Sequence, residues 1–206
     1  MARGLAAVPL SALVLLAGCG GADPEEAAST AASSTGDTSP AATTTPTADD
    51  VAADATPDAA PFPATTDPDT ADAVAGNGPT VVTGVRIGAQ DGFGRIVFDI
   101  SGTATPGWDV AYTTTPTREG TGEAVSVPGS AFLRVTLTGV TNPYEAPAVT
   151  EASRGTTATT AGPVAGVYYD SVVEGQALAY VGVDAEQPFR VYALSNPTRI
   201  VVDVAS

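Results

Sequence analysis

Few side chains in this sequence of 206 residues could carry out chemistry. Histidine is absent, which removes the usual general base and the commonest metal ligand in proteins. All 8 cationic side chains are arginines, so the serines and aspartates have neither a histidine nor a lysine to act as a base. The single cysteine cannot form an internal disulfide or a thiolate cluster. We therefore expect a protein that is not an enzyme and that holds neither a metal ion nor another cofactor.

Cys19 is the side chain with the clearest chemical signature. It follows an apolar run of 12 residues, Leu5 to Leu16, which is too short for a membrane-spanning helix of about 20 residues and is typical of a secretory signal. The Leu-Ala-Gly-Cys motif that ends at Cys19 resembles a bacterial lipobox. It predicts a lipoprotein signal peptide over residues 1–18, cleavage between Gly18 and Cys19, and acylation of the cysteine thiol. The alternative is an ordinary signal peptide with a chance cysteine.

The lipid would hold the protein on the extracytoplasmic face of the cell membrane without spanning it. Residues 19–78 are expected to form a disordered tether behind this anchor. Residues 20–78 contain 17 alanines, 11 threonines, 7 prolines and 11 acidic residues but no arginine. Val51, Phe62 and Val74 are the only large apolar side chains there, too few to offset the entropy of ordering the segment.

The charge of the whole chain argues against one class of partner. Its formal net charge is −15, so the phosphate backbone of a nucleic acid would repel it. We expect no nucleic-acid binding.

Residues 79–206 are predicted to form one all-β domain. Short runs rich in Val, Ile, Tyr and Phe alternate with turn residues, and no stretch has a sustained helical period. The candidate strands are 81–88, 95–101, 108–113, 124–127, 131–137, 164–171, 176–183, 189–194 and 199–205. This number of short strands predicts two packed sheets. The segment 138–163 has little periodicity and is expected to be a long loop.

Two segments of this domain repeat each other. Residues 85–100 and 189–204 align without a gap and share six identities in sixteen positions. Folding each segment about a four-residue turn places Arg86 opposite Asp99 and Arg190 opposite Asp203, as exposed structural ion pairs of about 0.2–1 kcal/mol each. Each hairpin then has one wholly apolar face. We expect a pseudo-symmetric, two-sheet β-sandwich.

Three segments resemble a known family. GRIVFDISG (94–102), PGWDVAYT (106–113) and PFRVYALSNPTRIVVDV (188–204) are similar to the AMIN domain and, more closely, to the AMIN-like domain of secreted and lipid-anchored bacterial proteins. The resemblance covers roughly residues 80–206. It implies a β-sandwich that, in cell-wall amidases and secretins, targets catalytic or pore domains to peptidoglycan. No amidase or secretin sequence follows here, so the resemblance implies wall targeting without activity.

The candidate binding residues are aromatic or cationic. Tyr168 and Tyr169 are adjacent on a predicted strand, so we expect one of them to be exposed and able to stack on sugar. Tyr144 and Arg154 lie in the predicted 138–163 loop. Trp108 and its alternate neighbours on the same strand are assigned to the core.

These patterns leave more than one binding function open. The first hypothesis is a non-catalytic module that binds peptidoglycan or positions the protein at the wall. The second is an adaptor that binds another envelope protein through a sheet edge or the 138–163 loop. A binder of small solutes would need a sizeable pocket, which side chains usually fill in a sandwich of this size.

Overall fold

The structure is a computed structural model, and it describes residues 61–63 and 65–206. The expected signal peptide, Gly18, Cys19 and most of the expected tether lie outside these residues. Within the described ranges, no helix has the length and apolar character needed to cross a membrane.

Across the described residues, ten strands form two antiparallel sheets, which confirms the predicted all-β sandwich. One sheet has six strands in the order β1-β4-β5-β8-β7-β6, and the other has four in the order β2-β3-β10-β9. The strands are β1 (Asp69–Ala71), β2 (Val82–Gln90), β3 (Phe93–Ile100), β4 (Gly107–Thr113), β5 (Ala131–Thr138), β6 (Gly155–Ala161), β7 (Val164–Val173), β8 (Gln176–Val183), β9 (Phe189–Leu194) and β10 (Arg199–Ala205). A 3-10 turn covers Pro143–Glu145.

The repeated hairpins, β2-β3 and β9-β10, lie side by side in the four-stranded sheet. Strands β3 and β10 pair antiparallel with Val97 opposite Val201, and the repeat aligns these same two valines. A local two-fold axis therefore passes between them and relates one hairpin to the other. The pseudo-symmetry lies within this sheet, because the six-stranded sheet that covers it contains no copy of the repeat.

The register of the first hairpin differs from the prediction. Gln90 pairs with Phe93 across a two-residue turn, and Gly92 supplies the positive φ of 80° that this turn uses. Asp99 consequently lies opposite Gly84, and Arg86 lies opposite Val97. In the second hairpin, Arg190 lies opposite Asp203.

The core lies between the two sheets and follows the alternation of the strands. Ile96, Phe98 and Val202 of the four-stranded sheet and Leu133 and Val181 of the six-stranded sheet are all fully buried in one cluster. Trp108 and Tyr112 pack against this cluster, and Val110 belongs to it. Removing this apolar surface from water is the main stabilising contribution to the sandwich.

Three predicted boundaries were wrong. Strand β1 belongs to the sandwich although it lies in the segment assigned to the tether. Strand β6 lies in the expected 138–163 loop. The expected strand 124–127 contributes only an isolated bridge, Ala124 to Thr117, and otherwise belongs to a loop.

Strand β1 helps to join the two sheets along one side. Its Asp69 accepts a hydrogen bond from the indole nitrogen of Trp108 at 2.8 Å and one from the backbone nitrogen of Val191 at 3.3 Å. Trp108 belongs to the six-stranded sheet and Val191 to the four-stranded sheet. Ordered structure therefore begins before residue 79 and closes this side of the sandwich.

Candidate functional site

The outer face of the six-stranded sheet carries an open groove of about 490 Å³. Alternate residues of β5 and β8 point outward here, because their neighbours point into the core. The floor contains Leu178 and Tyr180, and the rim is polar. The rim residues are Asp109, Thr117, Glu119, Arg134, Thr136, Thr138 and Gln176. Such a groove offers hydroxyl, amide, carboxylate and guanidinium groups above a small apolar floor.

The segment 114–130 forms one wall of this groove. Its backbone carbonyl at Thr117 accepts a hydrogen bond from the hydroxyl of Tyr180 at 2.9 Å. Further along, the backbone of Pro128 crosses Gly182 so closely that a Cβ atom there would lie 1.7 Å from the carbonyl oxygen of Pro128. Gly182 is thus required for the loop to lie on the sheet.

Two of the predicted binding residues, Tyr168 and Arg154, contact a buried aspartate. Asp170 is 1% exposed, and its carboxylate accepts hydrogen bonds from the hydroxyl of Tyr168 at 2.9 Å and from the backbone nitrogen of Glu119 at 2.8 Å. The guanidinium of Arg154 lies 3.4 Å from the same carboxylate, and that of Arg118 lies 3.8 Å from it. The contacts from Glu119 and Arg118 hold the loop against β7, and the contacts from Tyr168 and Arg154 give these two residues a structural role at Asp170.

Tyr169 points in the opposite direction, into the core. Its hydroxyl donates to a carboxylate oxygen of Glu151 at 2.9 Å, and the hydroxyl of Ser171 donates to the same oxygen at 2.8 Å. Burial, with the nearby charge of Glu151, raises the pKa of Tyr169 above its ordinary value. Since both tyrosines are buried, at 5% and 3% exposure, the expectation that one of them is exposed was wrong.

Among the predicted binding residues, the side chain of Arg154 is 50% exposed, and the most exposed residue is Tyr144. It sits on the 3-10 turn and is 78% exposed. The four tentative binding residues therefore do not form one site, because two serve the Asp170 cluster, one serves the core and one is exposed.

The four-stranded sheet carries the arginines and aspartates of the repeat on its outer face. Arg86 reaches diagonally to Asp99, with 2.7 Å between a guanidinium nitrogen and a carboxylate oxygen, and the side chains are 14% and 31% exposed. Asp203, by contrast, is 0% exposed. It accepts hydrogen bonds from Arg95 at 2.7 Å and from Arg190 at 2.8 Å, so two cations share one carboxylate.

The expectation of an exposed pair at Asp203 was therefore wrong. Burial lowers the pKa of the Arg95 guanidinium, but its hydrogen bond to Asp203 and the charge of that carboxylate outweigh burial, and the net direction is upward. Asp203 therefore joins the two guanidinium groups in one buried cluster. Sequence reasoning missed Arg95 because it comes from the other hairpin.

In the part of the chain that the structure describes, no three His, Cys, Asp or Glu side chains converge as a metal site would require. Asp109 is 3.3 Å from Arg134 across the groove rim, where it forms an ion pair between exposed side chains. The groove residues could have been found in the sequence, because the polar positions of the predicted strand 131–137 alternate with its apolar ones.

Comparison with known proteins agrees with the resemblance seen in the sequence. The AMIN-like domain model matches residues 80–206. No curated protein and no solved structure matches the chain. AMIN-like domains are generally non-catalytic, extracytoplasmic envelope modules. Since the match covers more than half of the sequence, and both sheets lie almost wholly within it, this chain belongs to the AMIN-like domain family.

Proposed function

We propose that this protein is a lipid-anchored envelope protein whose AMIN-like domain is a non-catalytic module that binds peptidoglycan. The observation that carries the proposal is the groove on the outer face of the six-stranded sheet, together with the family to which the chain belongs. The lipid on Cys19 would keep this module at the membrane, and the segment before β1 would carry it toward the wall.

The lining of the groove suits a glycan with peptide side chains. Peptidoglycan presents hydroxyl, N-acetyl and carboxylate groups, which require both donors and acceptors in a binding site. Thr136, Thr138 and Gln176 can donate and accept, Arg134 can hold a carboxylate, and Asp109 and Glu119 accept from hydroxyls. Leu178 and Tyr180 in the floor are only 4% and 3% exposed, so recognition of the glycan would rest on the polar rim.

Long-range attraction does not drive this binding. Residues 79–206 carry 12 acidic residues and 7 arginines, a net of −5, and residues 20–78 carry a net of −11. An anionic wall would repel both segments. We therefore expect modest affinity from short-range hydrogen bonds, with little loss at moderate salt.

The proposal is tested by sedimentation with purified peptidoglycan. A polypeptide of residues 20–206, which retains every described residue, should pellet with the wall at low and moderate salt and should release no muropeptides from it. If the polypeptide stays in the supernatant at every salt concentration, the proposal that it binds the wall is refuted. Release of muropeptides would remove the non-catalytic one.

Lipid anchoring is tested separately in cells. Cys19→Ser removes the thiol that takes the diacylglyceryl group, so the variant should leave the membrane fraction or remain unprocessed. If it stays in its processed form on membranes after high-salt and carbonate washes, Cys19 is not the anchor.

A second candidate function, binding to another envelope protein, is favoured by strand β6. This strand is the edge of the six-stranded sheet, and its residues 156–160 are exposed. An open edge can accept a strand from a partner. In-cell crosslinking would support the adaptor function in place of wall binding if it traps one protein and if Thr159→Lys at this edge abolishes the crosslink.

A further inference from the structure

Phe62 contacts the outer face of the four-stranded sheet, although it precedes the sandwich in the sequence. Its ring lies 5.8 Å from the ring of Phe93, centroid to centroid. The guanidinium carbon of Arg190 lies 4.4 Å from the centroid of the Phe62 ring. This distance is within the range of a cation–π contact. Phe62 therefore joins the N-terminal segment to β3 and β9.

The surface that receives Phe62 alternates cations and rings. The guanidinium carbon of Arg95 lies 5.2 Å from the ring centroid of Phe93 and 5.9 Å from that of Tyr192. The guanidinium carbon of Arg190 lies 5.4 Å from the ring centroid of Phe93, so Arg190 contacts both Phe62 and Phe93. An additional aromatic ring can thus add to the cation–π contacts that already exist on this face of the sheet.

This surface also has an unused donor for an anion. Arg95 is 1% exposed, and its Nη1 atom has no hydrogen-bond acceptor among the described residues. The carboxylate of Asp203 is already shared between the two guanidinium groups. A buried donor without an acceptor is costly. The carboxylate of Asp67 does not reach this atom, because it accepts a hydrogen bond from the Thr65 hydroxyl at 2.6 Å. Acidic residues of the N-terminal segment therefore act on this surface through the positive charges of Arg95 and Arg190.

The N-terminal segment has the matching chemistry. Residues 20–78 carry 11 acidic residues and no arginine, and Phe62 is their only aromatic residue. Asp58 and Asp67 flank Phe62 in the sequence, and Pro61 and Pro63 adjoin it directly. Proline fixes its own φ and favours an extended residue before it, so this segment loses less conformational entropy on docking.

We propose that the outer face of the four-stranded sheet is a docking site for an acidic peptide that contains an aromatic residue, and that the chain's own tether occupies it through Phe62. The groove of the wall-binding proposal lies on the other sheet. The two proposals can therefore fail independently.

The test uses a fluorescently labelled peptide of residues 57–67 and polypeptides of residues 20–206. The Phe62→Ala polypeptide has lost its internal occupant, so it should bind the peptide at least about tenfold more tightly than the wild type does. Val74→Ala is the matched control, because Val74 is another large apolar residue of the same segment and is 62% exposed. This control should bind the peptide as poorly as the wild type.

Peptide variants separate the two halves of the recognition. A Phe62→Ala peptide should not bind, and a peptide with Asp58→Asn and Asp67→Asn should bind several-fold less tightly. The proposal is overturned if the wild-type and Phe62→Ala polypeptides take up the peptide equally, or if the neutral peptide binds as well as the acidic one. It is also overturned if nuclear Overhauser spectra of the wild type lack contacts between the rings of Phe62 and Phe93.

Discussion

Replacing Asp203 with asparagine should destabilise the sandwich far more than the same change at Asp99. The two aspartates are equivalent in the repeat, which makes Asp99→Asn a matched control. They differ in environment: Asp203 is fully buried between Arg95 and Arg190, whereas the Asp99 side chain is 31% exposed and pairs with Arg86. The change removes one negative charge in each case and preserves the shape of the side chain.

The magnitude follows from what each substitution leaves behind. Asp203→Asn leaves two guanidinium groups without their shared counter-charge, and removing one partner of a buried ion pair costs about 3–5 kcal/mol. Asp99→Asn leaves Arg86 near solvent, and we expect a loss of about 1 kcal/mol or less. In a domain of this size, the first loss lowers the melting temperature by roughly 6–20 °C and the second by roughly 4 °C at most.

Urea denaturation followed by circular dichroism measures both losses, provided that the slope of free energy against urea is unchanged. The two variants should differ in unfolding free energy by at least about 2 kcal/mol. Equal losses, or a loss below about 1 kcal/mol at Asp203, would refute the role of burial in this cluster.

Two further predictions concern the edges of the sandwich and its buried tyrosine. A polypeptide that begins at residue 79 lacks β1 and the hydrogen bond from Trp108 to Asp69. Its free energy of unfolding in urea should be about 1–3 kcal/mol lower than that of a polypeptide that begins at residue 66. Equal unfolding midpoints would contradict a structural role for β1. Burial raises the pKa of Tyr169, so the neutral hydroxyl favours the folded state. This contribution to stability is fully present below the unfolded pKa of about 10 and is lost as the pH rises above that value. The free energy of unfolding, measured from pH 9 to pH 11, should therefore fall less steeply for Tyr169→Phe than for the wild type. Tyr144→Phe, at an exposed position, is the control. Identical slopes for Tyr169→Phe and the wild type would contradict this effect of burying Tyr169.

Strands with clear alternation could be predicted from the sequence almost to their ends. The expected strands 176–183, 189–194 and 199–205 coincide with β8, β9 and β10. Their β-branched and aromatic residues alternate or run continuously between turn residues, which is a local signal. The family resemblance, which rested partly on β9 and β10, is confirmed.

The elements that were missed have no such local signal. Strand β1, with the sequence Asp-Thr-Ala, pairs with β4 only because the fold brings the two together. Strand β6 is an exposed edge rich in threonine, and it has no apolar face for a sequence pattern to reveal. At both β1 and β6, contacts with the neighbouring strand form the element although the local sequence has only a weak preference for a strand.

The environment of the candidate residues also depends on contacts between distant segments. Asp203 is buried with Arg95, which is 108 residues away in the sequence. Tyr168 is buried because the 114–130 loop crosses the sheet above Asp170, as the bond from Glu119 to that aspartate shows. The alternation within a single strand shows which residues share a face but not what covers that face. The burial of Asp203 and of Tyr168 therefore could not be deduced from the sequence.

The most direct test of the central claim compares peptidoglycan binding by two double variants of the residue 20–206 polypeptide. Thr136→Val with Gln176→Ala removes a hydroxyl and an amide from the groove, and Thr159→Val with Gln187→Ala removes the same groups outside it. The groove variant loses two hydrogen bonds of about 0.5–1.5 kcal/mol each. Its affinity for purified peptidoglycan, measured by sedimentation, should therefore fall roughly tenfold. The outside variant should bind like the wild type. Equal binding by the two variants would contradict the claim that the groove on the six-stranded sheet holds the wall.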